Sequence, residues 1–463
     1  MVHSVHQFIW GPWLLLLILG IGAFFTVKSK FFQILGWKTW WAETVGSLKS
    51  EEKDSAHPHS VTQFQSACTA LAATVGTGNI VGVATALCAG GPGALFWMWI
   101  SAGIGMMTAY AETVLGILYR MKRGDGSWLG GPMVYLEKGL GMYGTAVLYS
   151  FFAVLASLGM GSMVQSNSIA ETLDFSFSVS PLLTGIVLTI LILFVIRGGL
   201  GRIAKVAERL VPVSAGIYMA AALIVIISYY ERIPSVLSMI VENAFRPASA
   251  AAGAAGYGFG LALRYGVSRG VFSNEAGLGS LAVIHGTVEN TTPEKQGMWA
   301  MFEVFFDTII SCTLTALVIL CVTGESAGAL GLDGAALTAH CFSEKLGEGG
   351  ELLVSLAMLS FAFATIIAWY FLGKQNLSYL ASRTGVRVRT AEAVYMMVYL
   401  NAVFIGCIAR LETVWELSDI WNGLMAVPNV IALILLRKKI TFPGKKRIDK
   451  RGQSFYTRTN KRE

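Results

Sequence analysis

Charge is what this chain has least of. Of 463 residues, only 14% are Asp, Glu, Lys or Arg, against about 25% in a soluble domain. So thin a supply excludes a water-solvated globular surface. Proline is scarce too, at 11 residues, and the six cysteines (68, 88, 312, 321, 341 and 407) have no CxxC or other metal-ligand spacing, which removes zinc and dithiol chemistry. Most lie in apolar stretches and read as packing residues; a Cys321–Cys341 pair stays open. There is no Gly-Lys-Ser/Thr phosphate loop, so direct ATP drive has no support. His3, His6, His57 and His59 sit at the terminus or in a loop and form no ligand set.

In place of charge there is apolar length. The chain is 54% hydrophobic, with mean hydropathy +0.60. Stretches near the ~20 residues needed to cross a bilayer recur eleven times: 10–27, 62–90, 94–119, 145–172, 181–197, 207–230, 254–281, 298–323, 351–379, 391–409 and 414–436. This is one all-α polytopic membrane domain. No basic residue precedes Trp10–Val27, whereas Lys28 and Lys30 follow it, so it reads as an uncleaved anchor with its N-terminus outside. Alternating sides from there puts Arg120/Lys122/Arg123, Arg197/Arg202/Lys205/Arg209 and Lys374/Arg383/Arg387/Arg389 inside. Glu171/Asp174, Glu325/Asp333/Glu344 and Glu412/Glu416 fall outside, as the positive-inside rule requires. The expected setting is a cell membrane, with the C-terminus cytoplasmic. The net charge of +7 misleads about partners. Residues 437–463 carry eleven bases against two acids, a tail suited to anionic lipid headgroups rather than nucleic acid. Trp10, Trp13, Trp37, Trp40 and Trp41 read as interface anchors.

With span 10–27 set aside, ten remain, in two sets of five: 62–230 and 254–436. Five spans per half force the second half to run opposite to the first, the arithmetic of an inverted repeat. The first span of each half is also the irregular one. One breaks at Thr74-Val75-Gly76-Thr77-Gly78-Asn79. The other carries Gly253, Gly256, Gly258 and Gly260, then the 268–279 stretch SRGVFSNEAGLG. Glycines alone serve close helix packing, but that does not account for Thr77 and Asn79 at mid-membrane depth. In hydrocarbon, an interrupted helix is tolerated where its freed backbone groups face protein, water or a ligand.

At such a break the second half-helix exposes N–H groups and the first exposes carbonyls. Donors suit a carboxylate and acceptors a small cation. Thr77, Gly78 and Asn79 are therefore candidates for a substrate carboxylate, and the carbonyls of Ala72 and Val75 for a sodium ion. Ala362 and the Thr365 hydroxyl, three residues apart on one helix face, are candidates to complete the ion's shell; back-bonding of Thr365 to its own helix is the alternative. Ser157, Gly161 and Gln165 share a face at spacing four, with Asn167 nearby, and either line the site or pack helices. Glu303, Asp307, Ser311 and Thr315 form a second stripe, and an acid such as Asp307 within a span is a functional suspect. Glu112, eight residues from Arg120, is too far along its helix for that pair and needs another partner or the cytoplasmic interface. Arg269 and Glu275 meet only if the helix between them breaks.

These strings, in this order, resemble the bacterial and archaeal alanine or glycine:cation symporters, the sodium:alanine symporter family. They include GTGNIVGVATAL with GGPGALFWMW (76–99), GGPMVYLEKGL (130–140), MVQSNSIA (163–170), IRGGLGRIAKVAE (196–208), SRGVFSNEAGLGS (268–280), FFDTIISCTLTALVI (305–319) and NGLMAVPNVIAL (422–433). The resemblance implies a LeuT-like core of five plus five inverted spans behind one extra span. It implies uptake of a small neutral amino acid with Na⁺, or with H⁺ in some relatives, and no enzymatic activity. By motif, Thr77, Gly78 and Asn79 contact substrate, Gln165 with Phe272 and Ser273 completes the pocket, and Trp369 caps the side-chain end. Lys374 departs from the family pattern, where an acid commonly follows that glycine. An ion channel is the competing reading, but the polar residues gather at a local break instead of lining a continuous path. An intramembrane enzyme using Glu303 and Asp307 lacks a nucleophile–base pair or a metal motif.

Overall fold

A computed structural model describes residues 2–49, 61–246, 258–409 and 412–443. Most of the basic tail, the 253–257 glycine stretch and His57/His59 lie outside the described residues. Among the described residues the chain is all-α apart from one two-stranded ribbon, Met121–Lys122 with Trp128–Leu129. Eight helices among the described residues are long and apolar enough to cross a membrane, and nine if a pair bent by 58° counts as one span. Pro181–Ile196, shorter but apolar, and an interrupted Phe259–His285 complete the eleven expected segments.

The spans run as α1 (Val2–Ile9) with α2 (Pro12–Lys28), the bent pair α3 (Gln63–Thr74) and α4 (Val81–Gly90), then α5 (Gly93–Tyr119). Next come α6 (Tyr143–Leu158) continuing into α7 (Gln165–Phe177), α8 (Pro181–Ile196) and α9 (Gly199–Ser228). The second set holds α10 (Phe259–Asn274), α11 (Ser280–His285), α12 (Pro293–Val304) continuing into α13 (Thr313–Thr323), α14 (Glu348–Thr384), α15 (Val388–Ile408) and α16 (Glu412–Leu435).

Local chemistry sets these boundaries. Thr62 and Gln65 form a reciprocal cap at the start of α3, Gln65 N donating to Thr62 Oγ1 at 3.1 Å and Thr62 N to Gln65 Oε1 at 3.2 Å. Ser180-Pro181 and Thr292-Pro293 start α8 and α12 with a hydroxyl cap and a proline that needs no donor. Gly91, at φ 71°, ends α4. Large apolar side chains on α8 and α9, among them Leu182, Ile190, Phe194, Ile217 and Ile227, point outward; in a membrane protein that is the lipid face. Small residues make the opposite contact. A methyl group on Gly93 would lie 2.5 Å from the Ala244 backbone nitrogen, so that glycine lets two backbones meet.

Some expectations change. Trp10 and Trp40 are buried, each donating its indole N–H to a carbonyl, Asp419 at 2.8 Å and Gln33 at 3.0 Å. Trp13, Trp37 and Trp41 are exposed, as interface anchors are. All six cysteines are free thiols, Cys321 and Cys341 included. The second break is shorter than 268–279: α10 is helical through Asn274, and the chain turns only at Glu275, Gly277 and Gly279, with φ of 57°, 95° and 81°. Glycine adopts that left-handed region freely; Ser268 to Asn274 contains a single glycine and keeps helical bonding.

Candidate functional site

The first break opens because Gly76, at φ −139° and ψ −145°, leaves the helix. Its N–H donates to Asn79 Oδ1 at 3.0 Å and so does not bond back to Ala72. The freed Ala72 carbonyl accepts the Thr365 hydroxyl of α14 at 2.9 Å, which also reaches its own Phe361 carbonyl at 3.1 Å. The back-bonding of Thr365 to its own helix is therefore present, and the same hydroxyl also meets the freed carbonyl of the first break. A methyl group on Gly76 would come 2.5 Å from Thr365 Oγ1, so the two helices meet there only because of the glycine. Val75 is buried at the end of α3 with ψ 89°. Ala362 lies three residues before Thr365, with its methyl in a separate cluster alongside Ile169 and Ile366.

Around the short turn Thr77–Asn79 the candidate substrate residues converge. The Thr77 hydroxyl is fully buried and has no hydrogen-bond partner. Thr77 N donates to Gln165 Oε1 at 3.5 Å. Gln165 follows a wider π-type turn, Gly159–Val164, a local unwinding found often at functional sites. A Cβ on Gly78 would sit 3.1 Å from Ser273 Cα, which brings the two halves' first spans into direct contact. Trp369 closes one side. Its Cβ is too near Gly161 for any larger residue there, and its indole N–H donates to Glu275 Oε1 at 2.9 Å.

Asn79 reaches the other way. Its amide donates to the Asp307 side chain at 2.8 Å and backbone carbonyl at 3.1 Å. Ser273 and Thr308 hydroxyls donate to the other Asp307 oxygen at 2.9 and 2.8 Å. Asn274 then bonds Thr308 at 3.1 Å and caps the second break by accepting Ala276 N at 3.0 Å. Asp307 stands in a π-type segment, Phe305–Cys312, so the even four-residue stripe read from the sequence does not persist. Glu303 is not near the surface: fully buried, it pairs with His285 at 2.9 Å, whose other nitrogen meets Gln296.

Phe272 stacks on Trp415 with ring centroids 5.9 Å apart. Arg269 pairs with Asp419 at 3.6 Å rather than with Glu275. Arg269 and Trp415 line a cavity of about 540 Å³ with Thr85, Ser168, Thr172 and Asp333. Asn167 is not brought to the site; its amide donates to the Ala409 carbonyl at the end of α15. Ser157 likewise packs, bonded to Tyr395 at 2.8 Å. Glu112 finds its partners at the second break, accepting Gly279 N at 3.1 Å and the Asn429 amide at 2.8 Å. Asn274, Glu275, Thr308, His285 and Asn429 were not singled out as site residues. Asn274 and Glu275 stand inside a quoted motif, and an asparagine before a left-handed turn was a readable signal.

Residues 1–453 match the model of the sodium:alanine symporter family. The chain is 41% identical to "Sodium/alanine symporter AgcS" of Methanococcus maripaludis over 448 residues, covering 94% of each chain. It is 38% identical to "Probable sodium/glutamine symporter GlnT" of Bacillus subtilis, over 95% of this chain and 88% of that one. Among solved structures, MhsT in complex with L-phenylalanine superposes with TM-score 0.52 at 12% identity, covering 83% of this chain and 99% of that one. The Eremococcus coleocola manganese transporter gives 0.52 at 13% identity, over 83% and 79%. At such identities the likeness is one of fold, and the fold is the LeuT-like, all-α membrane transporter fold.

Proposed function

Since the chain belongs to the sodium:alanine symporter family, a family of cation-coupled amino-acid symporters and not of enzymes, we propose that it takes up alanine or glycine with Na⁺ by alternating access. The observation that carries this reading is the break at Thr74–Asn79. There a buried Thr77 hydroxyl with no hydrogen-bond partner stands five residues after Ala72, whose carbonyl has left its helix ladder for the Thr365 hydroxyl. The donor end of α4 with Thr77, Gly78 and Asn79 holds the substrate carboxylate. Gln165, Phe272 and Ser273 complete the pocket, and Trp369, packed against Gly161, caps the side-chain end. On the acceptor side Ala72, Val75, Ala362 and Thr365 hold the sodium ion as co-substrate.

Two halves, 62–230 and 254–436, rock about this point behind the extra span 10–27. The N-terminus faces outside and the tail the cytoplasm, near anionic lipid. On that orientation the cavity above Phe272 and Trp415, bordered by Glu171 and Asp333, is the outer entrance. The inner end carries Lys374 paired with Glu392 at 3.0 Å, an arrangement an acid at 374 would replace with repulsion.

Reconstitution in liposomes tests the reading. Labelled alanine accumulates under an inward Na⁺ gradient and not under K⁺. Equal accumulation without Na⁺ replaces sodium by protons or by facilitated diffusion. Competition by glutamine at the same concentration as alanine would replace the small-substrate assignment.

A further inference from the structure

Asp419, near the start of α16, receives contacts that the proposed function does not use. Trp10, at the corner between α1 and α2, donates its indole N–H to the Asp419 carbonyl at 2.8 Å. His6 Nε2 of α1 lies 3.2 Å from Asp419 Oδ2, and Arg269 Nη1 of α10 lies 3.6 Å from that same oxygen. Oδ1 has no partner among the described residues. The His6 side chain is 20% exposed and that of Asp419 9%, so water reaches the imidazole more readily than the carboxylate. Arg269 has a second attachment, its guanidinium standing over the Phe272 ring at 5.7 Å. It also lines the outer cavity with Glu171 and Asp333. The Arg269–Asp419 pair thus ties α10, which leads into the second break, to α16. Other charges face His6 sparsely. One turn earlier on both helices, His3 Nδ1 meets Glu416 Oε1 at 2.6 Å, and Gln7 takes the other His3 nitrogen. Helices α2 and α6 also pack against α16 but bring no charge to this end: α6 has no Asp, Glu, Lys, Arg or His, and α2 only Lys28 at its far end.

We infer that Asp419 is a positioning residue that holds Arg269 at the outer entrance, and that a proton taken up by His6 from outside loosens this hold. The inference rests on the symport reading and on the outside placement of the N-terminus. Histidine is the side chain whose charge ordinarily changes between about pH 5 and 8. Neutral, His6 donates one N–H to Asp419 Oδ2 and leaves the carboxylate's charge to Arg269. Protonated, it brings a second cation to an oxygen that Arg269 already uses. The nearer imidazolium takes the charge, and two cations at one carboxylate repel each other. Arg269 then loosens, α10 is no longer fastened to α16, and the cavity closes less readily over bound alanine. Half-saturation by alanine therefore rises as the outer pH falls, while saturating alanine restores the rate. A proton used as co-substrate acts in the opposite sense, because acid outside then helps uptake.

The test is sodium-driven alanine uptake by right-side-out membrane vesicles carrying the full chain, with inner pH buffered and the potential clamped. Outer pH runs from about 8 to about 5.5. Wild-type half-saturation by alanine should rise about fivefold toward acid. His6→Gln keeps a neutral donor and should hold the alkaline value throughout. His6→Arg keeps a cation and should hold the acid value throughout, and both should match the wild-type maximal rate. Asp419→Asn deprives Arg269 of its charge partner and should also be flat, at the acid value. If that variant fails to reach the membrane, the two His6 variants decide, since a merely structural His6 would not send them to opposite ends of the wild-type range. A flat wild-type profile overturns the proposal. So does a step that survives in His6→Gln, a half-saturation that falls toward acid, or a step that follows the inner pH. Uptake indifferent to Na⁺ at every pH removes the symport reading instead, and loss of the pH step in His6→Gln then still supports the hold on Arg269.

Discussion

Replacing Thr365 with valine removes one oxygen from the sodium site between Ala72 and Thr365 and almost nothing else. Valine keeps the branched shape, so the close contact with Gly76 keeps its volume. The lost bonds are those to Ala72 O at 2.9 Å and Phe361 O at 3.1 Å. Without sodium the cost is that of a neutral hydrogen bond, about 1 kcal/mol, and folding and insertion should survive it. With sodium the same oxygen serves a full charge, worth about 1.5–3 kcal/mol. At 1.4 kcal/mol per decade, the sodium half-saturation should rise about 10- to 150-fold. Maximal uptake returns at high Na⁺, because the break that holds the carboxylate is untouched. Thr365→Ser keeps the oxygen and should stay within about threefold of wild type. The assay is initial-rate alanine uptake in proteoliposomes over a Na⁺ series, with choline making up ionic strength. A valine variant with wild-type half-saturation would mean that Thr365 only braces α3 against α14, and the proposed ion site would be lost with it.

Asn79→Leu removes the amide that holds Gly76 N, Asp307 Oδ1 and the Asp307 backbone carbonyl; uptake should vanish while membrane insertion, judged by surface labelling, stays normal. Gly161→Ala drives a methyl into Trp369 Cβ and should cut alanine uptake more than tenfold, overpacking costing about 1–3 kcal/mol. His285→Leu leaves Glu303 buried without its partner, a loss of about 3–5 kcal/mol readable as a lower melting temperature in detergent. Adding Glu303→Gln in that background should recover part of it. Lys374→Glu places two acids where a half-buried ion pair now stands; a fall in uptake rate with unchanged sodium half-saturation is expected, and an altered half-saturation would tie this end to the ion site.

Legibility in the sequence followed the physics of each signal. Span number and the first break were readable because hydropathy and glycine–polar interruptions act locally, within about twenty residues. The second break was placed too broadly because glycine frequency does not say which residue turns left-handed; Glu275, an unlikely residue at φ 57°, makes that turn. Helical periodicity did not decide between lining and packing for Ser157 or its neighbour Asn167, which pack, and it overextended the Glu303–Asp307 stripe. Two π-type turns, Gly159–Val164 and Phe305–Cys312, each add a residue to the count and rotate everything after them, and no propensity announces such a turn. The same turns bear on the chemistry. A straight helix carrying both Glu303 and Asp307 would aim them one turn apart along a single face, and Asp307 would then share the His285 cluster. The wider turn separates them, giving Glu303 its histidine and leaving Asp307 to face the two breaks with only neutral partners. The feature least readable from sequence is thus the one that leaves a buried carboxyl group with only neutral partners beside the break where the substrate and its cation are proposed to meet.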